Sequence, residues 1–188
     1  MNNDNEKRLL EIATKKENID SVLTLFANEN GIKQKIGDEF VEKLCDKARE
    51  LGFTTDIDEG FCEEKETFIT FSIPTLSNKW ALFIGSDKLN AKDMYYCISL
   101  LDGASKIKKG DLQNIPHLWK VFDQDKSTPC GWSFFWSESG KKSSGEWYNW
   151  YAIETLQAMV DGRLLKFITD NVFIPVIESE VLATLDKF

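Results

Sequence analysis

The chain has one histidine, His117, and four cysteines, Cys45, Cys62, Cys97 and Cys130, set far apart with no Cys-x-x-Cys pair. Structural zinc needs clustered Cys and His ligands, so these cysteines read as reduced, partly buried thiols. A Ser, Cys or Thr nucleophile needs a neighbouring base, usually histidine. His117 lies beside Leu118-Trp119 in a stretch that reads as a short helix, so it reads as a structural residue. The glycines never form G-x-G-x-x-G or G-x-x-x-x-G-K-[ST], which removes the usual berths for nucleotide phosphates. No apolar run approaches the roughly 20 residues that span a bilayer, and Met1 to Glu6 lacks the basic start and apolar core of a signal peptide. The expectation is a cytoplasmic protein with no cofactor, no bound metal and no membrane association.

Basic residues are also in short supply. Lys and Arg number 23 against 31 Asp and Glu, a formal net charge of −8, and phosphate contacts need the opposite surplus. Nucleic acid is therefore disfavoured as a partner. The short basic patches Lys106-Ile107-Lys108-Lys109 and Lys141-Lys142 read as solvated loops. An acidic surface can dock on a basic protein or imitate DNA.

The remaining composition, 42% hydrophobic and 29% charged, is that of a folded globular chain. We expect one domain over 1–188, with an N-terminal helical segment over 1–31 and an α+β body over 32–188. Leu9, Ile12, Ala13, Ile19, Val22, Leu23 and Phe26 recur at three- and four-residue steps, predicting one or two amphipathic helices ended by Gly31. A further helix is predicted from Asp38 as N-cap through Phe40, Val41, Leu44, Cys45, Ala48 and Leu51, stopping at Gly52.

The period then changes. Thr67 to Ile73, Trp80 to Gly85, Met94 to Leu101 and Gly131 to Ser137 are rich in aromatic and β-branched residues and predict four sequential, mainly antiparallel strands. Asp111 to Phe122 predicts a short helix between the last two. Ser143-Ser144-Gly145-Glu146 matches a capping box and predicts a helix running to Asp161-Gly162. A final helix follows, with Pro175 expected to kink or split it. The predicted fold is α+β: N-terminal helices, a four-stranded meander sheet, and two C-terminal helices packed on one of its faces.

Two groups of residues could carry function. Metal-dependent nucleases place Asp and Glu around Mg²⁺ with a lysine nearby, and Asp56, Asp58, Glu63 and Lys65 supply those residue types. Such a site belongs on paired strands, whereas this cluster falls in a polar stretch that reads as an acidic loop. The second group is aromatic. Trp132, Phe134, Phe135, Trp136, Trp147, Tyr148, Trp150 and Tyr151 crowd into twenty residues. Strand alternation puts Trp132, Phe134 and Trp136 on one side, and one helical face carries Trp147, Trp150 and Tyr151, leaving Tyr148 partly turned away. Most of these rings fill the core. The rest suit a partner surface, because Trp and Tyr dominate interface hot spots.

The order of these residues carries a resemblance. Lys79-Trp80-Ala81-Leu82-Phe83-Ile84-Gly85, Met94-Tyr95-Tyr96-Cys97-Ile98, Gly131-Trp132, Glu146-Trp147-Tyr148-Asn149-Trp150 and Met159-Val160-Asp161-Gly162-Arg163 together resemble the C-terminal half of a bacterial and phage group of PD-(D/E)XK-superfamily nucleases. The resemblance spans about Ile32 to Phe188. In that group the nuclease core, with its Asp and Glu-x-Lys, lies upstream, and only about thirty residues of helix precede the matching part here. The resemblance therefore implies the non-catalytic appended module, with partner or substrate recognition as its task and a role in immunity or counter-defence.

The leading expectation is a non-enzymatic protein-binding module that meets a protein partner through Trp132, Trp136, Trp147, Tyr148 and Trp150. The alternatives are a degenerate metal-dependent nuclease using Asp56, Asp58, Glu63 and Lys65, and an acidic DNA mimic. The oligomeric state is open at this stage.

Overall fold

The computed structural model describes residues 3–61, 63–73, 75, 80–89, 91–100, 133–138, 149–178 and 182–183. Contacts divide the chain into two compact units, Met1–Lys35 and Ile36–Phe188.

In the first unit α1 (Asn3–Ala13) and α2 (Lys16–Ala27) are separated by Thr14 and Lys15. The Thr14 hydroxyl donates to Leu10 O at 2.8 Å and Asn18 Nδ2 to Ile12 O at 2.9 Å, so side chains close the end of α1. Helix α3 (Glu29–Glu50) then runs without a break through Gly31, Gly37 and Asp38. Gly31 was expected to end a helix and Asp38 to cap the next; neither does. A glycine inside a helix costs only about 1 kcal/mol, less than the buried face formed by Phe40, Val41, Leu44, Cys45 and Ala48 returns. The predicted stop at Gly52 is present: Gly52 has φ +92°, its N–H donates to Arg49 O and that of Phe53 to Ala48 O, both at 3.0 Å. This Schellman pairing satisfies two end carbonyls and turns Phe53 into the core.

The body is built on a five-stranded antiparallel meander, β1 (Thr54–Ile57), β2 (Thr67–Ser72), β3 (Trp80–Lys88), β4 (Lys92–Leu100) and β5 (Ser133–Glu138), in sequence order. The four predicted strands correspond to β2 through β5. The additional one, β1, pairs Asp56 with Thr70 and Ile57 with Ile69; its four mostly exposed residues carry no alternating apolar signal. Strand β2 alternates strictly between buried and half-buried, and register aligns Ile69, Ile84 and Tyr96, then Phe71, Leu82 and Ile98, across three strands. The β4–β5 pairing carries an irregularity between Ile98 and Ser99, where the register passes from Phe135 to Ser133.

The C-terminal part comprises α4 (Ile153–Val160), α5 (Arg163–Ile168), a π turn (Thr169–Phe173) and α6 (Ile174–Ile177). Leu156, Met159, Leu164, Ile168, Val172 and Phe173 join the α3 face and the strand residues Ile69, Phe71, Leu82 and Ile84 in one core, so these helices cover one face of the sheet. Phe173 sits 5.0 Å from Phe71 and 5.3 Å from Phe53, centroid to centroid. The expected disturbance at Pro175 takes the form of the π turn just before it, where Ile174 N–H reaches back to Thr169 O. Widening the turn re-aims the backbone that a proline cannot pair.

On the opposite face Phe68 lies 6.1 Å from both Phe83 and Tyr95, directly over Gly85. A Cβ at Gly85 would stand 2.4 Å from Phe68 Cδ1 and 2.8 Å from Thr67 O. We expect Gly85→Ala to lower unfolding free energy by about 1–3 kcal/mol through overpacking, and Phe173→Ala by about 3–5 kcal/mol through loss of the aromatic cluster, both read from urea denaturation.

Candidate functional site

Of the five residues expected to form a partner surface, Trp150 is the one whose side chain the structure describes. Trp150 is not on a helix: residues 150–152 form a turn, with Tyr151 N–H donating to Asn149 Oδ1 at 3.1 Å and Ala152 N–H to Asn149 O at 3.1 Å. The asparagine side chain competes for backbone donors and delays the helix to Ile153. Trp150 is 0% exposed, its ring 5.2 Å from Phe40 and 5.9 Å from Phe61, both edge-on. Its backbone N–H donates to Ala91 O at 3.0 Å. Trp150 is therefore a core residue, a correction to its expected place on a partner surface. Trp136 is in register with Cys97; Trp132, Trp147, Tyr148, the capping box at Ser143, the predicted helix around His117, the two basic patches, Cys62 and Cys130 lie outside the described residues.

The acidic group is spread along β1 and the connection to β2. Asp56 is exposed on the edge strand rather than in the loop expected for it. Asp58 follows it and clamps β2, accepting from Phe68 N–H through Oδ2 at 2.9 Å while its own N–H donates to Phe68 O at 3.0 Å. Lys65 Nζ lies 3.9 Å from Glu66 in an exposed pair, and Glu63 is exposed on the connection, where its charge, together with Glu42, adds to partial burial in raising the pKa of Asp38 on α3. Among the described residues no three His, Cys, Asp or Glu side chains gather closely enough to hold a metal ion, so Asp56, Asp58 and Glu63 do not converge. Cys45 is free and buried, and burial pushes its thiol pKa up, away from the thiolate that a nucleophile requires.

Sequence reasoning missed a groove of about 450 Å³ beside α4, lined by Ile36, Ile153, Leu156, Gln157, Val160 and the Asp161/Arg163 pair. Ile153 and Val160 stand one above the other, seven residues apart, and are 65% and 67% exposed. The only signal in the sequence is that α4 carries more apolar residues than one buried stripe needs. Asp161 forms its polar rim: Oδ1 accepts Arg163 N–H at 3.0 Å and Oδ2 accepts Nε at 2.8 Å. These bonds hold its carboxyl below the usual carboxylate range and fix the corner at Gly162, whose φ is +83°.

No protein-family model matches the chain, and neither a curated protein nor a solved structure matches it. Among the described residues no helix is long and apolar enough to cross a membrane.

Trp150→Ala should cost about 3–5 kcal/mol of stability, the range for a buried aromatic, seen as a lower midpoint in thermal denaturation. Because the Asp161 pKa is lowered on folding from its ordinary 3.8, its contribution is present above that unfolded value and is lost as pH falls through the folded value. The Tm gap between the wild type and Asp161→Asn should hold steady at neutral pH and close in acid.

Proposed function

We propose that this chain is a non-enzymatic protein-binding module whose docking surface is the groove beside α4, and that its partner presents apolar side chains flanked by Lys or Arg. One observation carries the reading: Ile153 and Val160 stay about two-thirds exposed on a helix whose other apolar residues, Leu156, Ala158 and Met159, are buried. Exposed apolar patches with a polar rim mark interaction sites, and helix ridges in apolar grooves are a recurrent recognition mode. The formal charge of −8 supports a basic flank on the partner, since complementary potentials speed encounter and fix orientation. Charged pairs at the rim, such as Asp161 and Arg163, would set register more than affinity. An immunity or counter-defence role rests on the resemblance alone.

The test is a pull-down from nuclease-treated lysate of the native host, followed by calorimetry with the purified captured protein. Ile153→Asp and Val160→Asp should each weaken binding at least tenfold, the scale of a hot-spot loss of about 1.4 kcal/mol or more, and raising salt to 0.5 M should weaken it far less. No partner after nuclease treatment would sink the proposal, and so would affinity that collapses with salt and ignores both variants. The second result would favour an acidic DNA mimic.

A further inference from the structure

The first 35 residues hold an unsettled account of apolar surface. Leu10 and Ile12 on α1 and Leu23, Leu25 and Phe26 on α2 are all exposed, Phe26 by 70%, and no residue of α2 is buried. Helices of 11 and 12 residues are marginal in water without a packed face. Successive residues advance by about 100° round a helix, so Leu23 and Phe26 share one side of α2 while Leu25 points to the other. Two sides need cover. A single flat surface covers one, whereas a four-helix arrangement gives every helix two neighbours.

Charge says what the cover is. Residues 1–35 contain six acids (Asp4, Glu6, Glu11, Glu17, Asp20, Glu29) and six bases (Lys7, Arg8, Lys15, Lys16, Lys33, Lys35), so the whole net charge of −8 falls on residues 36–188. A basic protein is drawn to the body. Two neutral segments of mixed sign meet without net repulsion and can pair acid with base across a two-fold axis.

We propose that α1 and α2 form a homodimerisation hairpin, pairing with the same segment of a second copy to close a four-helix bundle. This proposal does not rest on the reading of the groove beside α4.

The test is light scattering on the full chain between about 1 and 100 µM, with the Leu23→Asp/Phe26→Asp double variant run beside it. The wild type should reach twice the 21.6 kDa chain mass, and the variant should stay monomeric while keeping the near-UV circular dichroism of its body. A wild type that is monomeric throughout overturns the proposal, as does a dimer that survives the variant or is broken instead by Ile153→Asp. Amine cross-linking of mixed ¹⁴N and ¹⁵N protein provides a readout that needs no variant. Mixed-isotope links among Lys7, Lys15 and Lys16 are expected, and their absence counts against the hairpin.

Discussion

The body depends on what happens at Trp150. Its ring fills the space between Phe40 of α3 and Phe61 of the β1–β2 connection, and its backbone N–H ties to Ala91 at the tip of the β3–β4 hairpin. Ala91 takes φ +47° there, a conformation that disfavours any residue with a Cβ and that is held by its surroundings. One residue thus joins three segments far apart in sequence, before the chain enters α4. An aromatic residue suits this position because it contributes a large apolar area in a rigid frame.

From that anchor the placement of the groove follows. With Trp150 seated and Asn149 bonding the next two N–H groups, α4 can start only at Ile153. Its buried side, Thr155, Leu156, Ala158 and Met159, faces the core, which turns Ile153 and Val160 outward. The Asp161–Gly162–Arg163 corner then ends α4 and starts α5, setting a charged pair at the edge of an apolar surface.

The electrostatics divide the chain in two. Residues 1–35 are neutral and the body carries the acid excess, dense enough that Glu63 and Glu42 add to burial in discouraging ionisation of Asp38. The exposed ion pairs, such as Lys47–Glu50 and Arg49–Asp46, are short-range helix pairs worth a few tenths of a kcal/mol each. Net charge therefore acts through association more than through stability.

The strands β2 to β4 were legible because β-branched and aromatic residues cluster between polar connections, and Gly52 and Gly162 were legible as stops because a positive φ favours glycine. Strand β1 was not: Thr-Thr-Asp-Ile becomes a strand only because β2 offers an edge to pair with. The unbroken α3 was hidden for the converse reason, as local penalties at Gly31 and Gly37 are outweighed by burial that no local window contains. By itself the sequence determined the order and type of most elements, the scarcity of histidine and the wide spacing of the cysteines, and where charge lies along the chain, since these rest on local propensity and residue identity. Only the tertiary structure decided that Trp150 is core while Ile153 and Val160 are surface, because burial depends on which faces meet, and residues of one composition can lie on either side of that contact.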